Sequence, residues 1–408
     1  MNQKLRQIVS YLGLFFFTSG ISYFFFARFL PPKTPPPRQA STQLTPAKSG
    51  ILIFSGPKTE ACPINGQLYT REEKDLWSQT RPLLAMIENH VDARPQSGLT
   101  TADLVYEAVA EGGITRFLAV YYCAAQKGSS QKYDIGPVRS TRTYFLDLAS
   151  EYGDYPLYVH VGGANCSAAT PGGACTTHRQ AQAVEQIAAY GWNNAGTWGD
   201  LSQFALSYRV CRREPERTGT VKDTEHTMYC STKELWNEAA INPKRGLTNI
   251  TKMTNQPWNK YFKSWGFKQK DQAASGQSTN FINFVFWTGH QDYAVTWAYN
   301  STTNSYLRFS GGLPHVDFDS QEQLLAKNIV LQFVKESRSI DVHLHNLYQI
   351  IGTGKGLLFQ NGSKTDISWT KASRTSRTIF RDVNNKEINF VPGPIWVEIL
   401  PLNTAVTY

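Results

Sequence analysis

Between Arg81 and Asp147 the apolar runs of the chain are broken by short groups of acidic, basic and imidazole side chains, and these are the residues able to do chemistry. The first group is Glu88, Asn89, His90 and Arg94, in MIENHVDARPQSGL. A carboxylate and an imidazole at the end of a strand can exchange protons with a ligand, while Asn89 and Arg94 can hold it. The second is Glu107, Glu111 and Arg116, in LVYEAVAEGGITRF. Paired carboxylates are the tools of glycoside cleavage. The third is Arg139 and Arg142, in GPVRSTRTYF, suited to a carboxylate or phosphate. His160 follows in YVHVGG. Glu88, His90, Glu107 and Glu111 are therefore the candidate catalytic residues. Asn89, Arg94, Arg116, Arg139, Arg142 and His160 are the candidate ligand-binding ones. The competing reading of each group is structural: hydrogen bonds that pin a loop, or an ion-pair network within the fold.

Other motifs are weaker. His226 is a single histidine, and His343 with His345 lacks a third ligand, so no metal site is expected. Gly352-x-Gly354-x-Gly356 has no βαβ unit around it and is not a nucleotide fingerprint. No Gly-x-Ser-x-Gly elbow and no His-Glu-x-x-His motif occurs. No cofactor is expected.

The elements that must position these residues can be read from periodicity. Arg81 to Asn89 is a continuous apolar run that turns polar, as a buried strand opening into a loop does. Leu104 to Glu111 could be a helix with both glutamates on one face. The β-branched and aromatic residues of ITRFLAVYY favour instead a hairpin about Gly112-Gly113. With Glu111 opposite Ile114 and Val109 opposite Arg116, the arginine would lie between Glu107 and Glu111 on one face. Ser140 or Thr141 can cap a following helix, TYFLDLASEY, placing Arg139 and Arg142 near its start. PLYVHVGGA reads as another buried strand, Gln180 to Tyr190 as a surface helix, and Thr232 to Ala240 as a short one. Beyond about Trp258, strand-like runs recur between Gly, Asn and Asp turns, and only Glu322 to Asn328 looks helical.

The 408 residues suggest two domains, and 41% hydrophobic with 13% aromatic content supports globular folding. The net charge of +9 is not gathered into a basic block, so nucleic acid is not an expected partner. Lys4 and Arg6 precede an apolar stretch, Ile8 to Leu30, long enough to span a bilayer with the N-terminus inside. A cleaved signal peptide is the rival, but no small-x-small site follows cleanly. The first cysteine is Cys62, which leaves none for lipid attachment after that stretch. PPKTPPPRQ then opens a semi-rigid linker. Six cysteines outside the membrane favour disulfides; Cys166 and Cys175, which bracket SAATPGGA, are the expected pair. The chain thus reads as a cytoplasmic tip and single transmembrane helix over 1–30 and a linker over 31–50. An α/β (α+β) N-terminal domain follows over 51–255, then a mostly antiparallel all-β domain over 256–408. The bulk of the chain would lie outside the membrane.

The segments RPLLAMIENHVDARPQSGL, ADLVYEAVAEGGITRF, IGPVRSTRTYFLDLASEY and YVHVGGA resemble those of the YerB-like bacterial lipoprotein family, a domain of unknown function. The resemblance continues through EHTMYCSTKELW, YLRFSGGLPHVD, LLAKNIVLQF, GTGKGLLFQNG and RDVNNKEINFVPGPIWVEILP. It implies an extracytoplasmic, membrane-tethered protein with an α/β first domain and a β-rich second one. Two departures stand out: the lipid-attachment cysteine is missing, and Glu225-His226-Thr227 stands where the family often has Pro-His-Asn. The resulting expectation is a cell-envelope protein that binds an anionic glycan (a cell-wall glycopolymer) or an envelope protein in the first-domain cleft. The alternative is a glycopolymer hydrolase or lyase using the glutamates and arginines.

Overall fold

In chain order, helix α1 (Arg71–Trp77) precedes strands β1 (Leu83–Glu88), β2 (Leu104–Glu111) and β3 (Ile114–Tyr121). Helix α2 (Thr143–Ala149), β4 (Leu157–His160), helix α3 (Ala183–Ala189), β5 (Asp200–Ser202), β6 (Cys211–Arg213), β7 (Met228–Ser231) and helix α4 (Thr232–Ile241) follow. The second half adds β8 (Phe281–Val285), β9 (Ala294–Asn300), β10 (Ser305–Ser310), β11 (Asn328–Val334), β12 (Gly352–Gln360), β13 (Ser363–Lys371), β14 (Ile379–Arg381) and β15 (Ile395–Pro401). This is a computed structural model, describing residues 54, 56–126, 133–166, 174–197, 199–241, 249–250, 254–269 and 279–408. The expected membrane helix, Ile8 to Leu30, and the linker over 31–50 lie outside the described residues. Among the described residues no helix is long and apolar enough to cross a membrane.

Strands dominate and helices are few. A ten-stranded mixed sheet runs in the order β14-β13-β12-β11-β15-β2-β3-β1-β4-β5. β1 is buried along its whole length, as the apolar run Leu83 to Ile87 requires of a strand covered on both faces, and Glu88 at its end is buried with it. β2 and β3 form the expected hairpin, and its turn uses Gly112 and Gly113 at φ 56° and 78°. Two successive positive φ angles are the demand of a tight hairpin turn, and glycine meets it without strain. A Cβ on Gly113 would also lie 2.3 Å from the His290 ring.

The regions 51–255 and 256–408 share this sheet, because β15 inserts in parallel between β11 and β2. Residues 51–408 pack as one unit. The pairings within the second half are otherwise antiparallel apart from a short parallel link, Gly266–Phe267 with Asn389–Phe390. They include a second sheet built on β8, β9 and β10. A small sheet pairs Asp134–Ile135, β7 and β6.

Two local expectations are corrected. Glu322 to Asn328 is extended, since Leu325–Ala326 pairs with β10 and Asn328 begins β11. Tertiary pairing overrides a weak helical preference there. Neither Ser140 nor Thr141 caps α2; Arg142 holds the cap position without a side-chain cap bond. The two hydroxyls are used elsewhere, Ser140 donating to the Val161 carbonyl at 2.9 Å and Thr141 meeting the Tyr158 hydroxyl.

Candidate functional site

The site is shaped by one extra residue in β2. Val109 pairs with Thr115 and Glu111 with Ile114, which leaves Ala110 without an opposite partner. Such a bulge shifts the alternation of side chains by one, so residues on either side of it change face. Arg116 therefore stands opposite Ala108 and Glu107 opposite Phe117. Glu111 shares a face with Arg116, whereas Glu107 points the other way. The expected placement of Arg116 between both glutamates is corrected on this ground.

On the first face two ion-pair chains lie side by side. Glu88 stands opposite Arg116 in the β1–β3 pair. Its two oxygens are divided between Arg139 Nε at 3.0 Å and His226 Nδ1 at 2.9 Å. Arg139 arrives there because residues 137–139 dock on the end of β1, with Glu88 N–H donating to the Pro137 carbonyl and Arg139 N–H to that of Met86. The turn leading into β7 brings His226, and the His90 ring stacks on it with centroids 4.7 Å apart and planes 10° from parallel. In the second chain Glu111 receives Arg142 Nε and, at 3.3 Å, Arg116 Nη2. Arg116 Nη1 donates to the Ser140 carbonyl at 2.9 Å.

Burial alone would raise the pKa of Glu111, but Arg142 and Arg116 outweigh it and hold the carboxyl below its usual value. Burial, with Arg142 beside it, brings Arg116 down to about 10, so the guanidinium stays charged at neutral pH. Arg139 is the most open of the three cations, its side chain 27% exposed against 9% for Arg116 and 10% for Arg142. Among the described residues, no hydrogen bond meets its two terminal nitrogens.

On the opposite face the polar groups are sealed. Arg308, from β10, donates to Glu107 Oε2 at 2.6 Å and to Glu398 Oε1 at 2.9 Å, and all three side chains are fully buried. Its Nε donates to His315 Nδ1 at 3.1 Å. Asn89 donates to Thr115 at 2.7 Å and to Glu107 at 3.3 Å, and accepts from Arg94 Nε at 3.0 Å. Arg94 also donates to the Asp292 carbonyl at 2.9 Å, tying the ARPQSG loop to the second sheet. Glu107, Asn89 and Arg94 thus fasten the two halves together and do not face the first cluster.

His160 stands apart from both networks, its ring nitrogens meeting the Gly162 carbonyl and Asp200 at 2.7 Å each. Cys166 and Cys175 are bonded, with Cα atoms 5.1 Å apart. Two further bridges, Cys62–Cys123 and Cys211–Cys230, complete the set. Sequence reasoning missed Arg308 and Glu398. A signal for Glu398 existed: a lone acid inside the apolar run IWVEILP must find a cation if the strand is buried.

Comparison with known proteins places this arrangement in a family. The profile described as "Protein of unknown function (DUF3048) N-terminal domain" matches residues 69–245, and the corresponding C-terminal domain matches 282–397. The chain belongs to this YerB-like family. YerB of Bacillus subtilis (strain 168), whose name classes it provisionally as a lipoprotein, is 27% identical over 326 residues, covering 79% of this chain and 82% of that one. The crystal structure of the Bacillus subtilis YerB protein shares the fold at a TM-score of 0.64 and 24% identity, spanning 86% of this chain and all of that one.

Proposed function

We propose that this chain is a membrane-associated, extracytoplasmic protein of the cell envelope that binds an anionic ligand, an envelope glycopolymer or an acidic partner, at Arg139. The lipoprotein class in the relative's name supports the location, and Ile8 to Leu30 would serve as the anchor in place of a lipid. One observation carries the binding reading. Glu88 and Glu111 already have cations, while Arg139, its side chain 27% exposed, has no hydrogen bond at its terminal nitrogens among the described residues. A planar, permanently charged fork of that kind suits a carboxylate or phosphate. The net charge of +9 favours the approach of a polyanion.

The hydrolase or lyase alternative needs two carboxylates flanking one bond. Glu107 and Glu111 point to opposite faces, and Glu88 and Glu111 are both held by arginines. Binding is the reading this geometry favours. The test is titration of the full chain with anionic and neutral glycopolymers at low and high salt. Anionic polymer should bind, salt should weaken it, and Arg139→Ala should lose about tenfold in affinity, with a lower melting temperature because the change also takes a cation from buried Glu88. Equal binding by wild type and variant would remove Arg139 from the site. N-terminal sequencing of the mature protein checks the anchor: a terminus near the Pro-rich linker would mean cleavage instead.

A further inference from the structure

We propose that His90, Asp92 and His226 form a site for a divalent first-row metal such as zinc, nickel or copper, with Glu88 as the outer carboxylate that orients His226. The inference goes beyond the anionic-ligand reading, because a metal can be held there whether or not an anion follows. The three candidate ligand atoms lie within 4.8 Å of one another, although His226 is far from the other two in sequence. His90 Nδ1 is 3.3 Å from Asp92 Oδ2.

Glu88 supplies the second, independent observation. Its Oε2 lies 2.9 Å from His226 Nδ1, close enough for that nitrogen to donate to the carboxylate in the tautomer that offers Nε2 to a metal. A ligating histidine commonly donates its second nitrogen to a carboxylate in this way, which fixes the tautomer and raises ligand basicity. Local charge agrees. Glu88, Asp92 and the exposed Glu225 face the two imidazoles, while Arg139 is the cation bonded within the group. With Arg116, which stands opposite Glu88, counted as a second cation, the acids still outnumber the cations, which favours a bound cation.

Donor chemistry sets the class. Two imidazoles and a carboxylate suit zinc, nickel, copper or ferrous iron, and not calcium or magnesium, which prefer all-oxygen shells. Three protein ligands also leave coordination positions open. One adjustment is required. A metal lies in the plane of each ligating ring, and the two rings are now stacked nearly parallel. His90 must turn about its terminal torsion. That torsion is soft for histidine and the His90 side chain is 27% exposed, so turning it costs mainly the bond that its Nδ1 accepts from the Asp92 N–H at 3.2 Å.

The experiment is a titration of the chelator-treated full chain in detergent with Co²⁺ alone, followed by its visible ligand-field absorption, then displacement with Zn²⁺. The expected result is saturation at one equivalent and full displacement by zinc. His90→Ala, Asp92→Asn and His226→Ala should each weaken binding more than about tenfold, and Glu88→Gln should weaken it about 10–100-fold. His343→Ala, in the separate pair with His345, should leave the titration unchanged. Because His226 is buried and its variant can fail to fold, the decision rests on His90→Ala and Asp92→Asn, whose side chains reach solvent. No saturable absorption in the wild type, or unchanged binding in both of those variants, overturns the proposal. The titration contains no anionic polymer, so its failure leaves the role of Arg139 standing, and failure of polymer binding leaves the metal site standing.

Discussion

Glu398 and Glu107 lie opposite one another in the parallel pair β15–β2, both wholly buried, and both hold the single guanidinium of Arg308. Two carboxylates with one cation cannot easily both ionise in a sealed interior. Burial, and then the charge of Glu107, push the Glu398 carboxyl well above its usual value, against the opposing pull of Arg308. Glu398 is the carboxyl of the two whose ionisation the interior opposes.

This gives a pH signature of definite sign. The folded value of Glu398 is raised, so its contribution is complete below the unfolded value near 4.5 and is lost as pH rises toward the folded value. Glu398→Gln keeps a neutral group that can accept from Trp297 and Arg308. Thermal melts from pH 4.5 to 8 should show a flatter profile and no loss at pH 7. A loss above about 2 kcal/mol at pH 7 would mean that the wild-type carboxyl is ionised there.

Arg308→Met should be severe. It strips from Glu107 and Glu398 the one cation they share among the described residues, and breaking a buried pair on one side costs about 3–5 kcal/mol. Urea unfolding measures it. A change under about 1 kcal/mol would show that the two halves do not depend on this junction.

Glu111 carries the opposite sign. Its folded value is lowered, so its contribution is present above the usual 4.5 and disappears as acid titrates it. Glu111→Gln leaves Arg116 and Arg142 without their carboxylate and should cost roughly 3 kcal/mol at pH 7. The deficit should shrink as pH falls below 4.5, which parallel melts of variant and wild type would reveal. A constant deficit would point to packing as the cause.

Peptide mapping without reduction should recover Cys62–Cys123, Cys166–Cys175 and Cys211–Cys230 and no free thiol. Cys62–Cys123 closes the longest loop, a separation of 61 residues. On the chain-entropy scale its removal costs about 4 kcal/mol, the largest effect of the three. Any other pairing would contradict the strand register that sets Cys211 opposite Cys230 and the bonded positions of the other four cysteines.

Much of this architecture was legible in local sequence. β1, the β2–β3 hairpin, β4 and the strand-rich second half follow from apolar runs, β-branched content and turn glycines. The Cys166–Cys175 pair followed from a short, turn-rich loop. What was not legible was register. The unpaired Ala110 leaves no mark in LVYEAVAE, yet it decides which way Glu107 points. Partners supplied from afar were equally hidden: Arg308 lies 201 residues from Glu107, and His226 lies 138 from Glu88. Periodicity reports which residues are inside, not what they meet there.

The position of β15 governs how the molecule can be made. The strand emerges near the end of the chain and lies between β11 and β2, so both of those keep a bare edge until it arrives. Unpaired edges are adhesive, and closing so long a loop is slow. A chain whose earlier strands cross a membrane before its later ones would hold β2 ready but unfinished for nearly the whole passage. Completion of the sheet waits on the final strand, and a truncation a few residues before Ile395 would expose two sticky edges instead of trimming a tail.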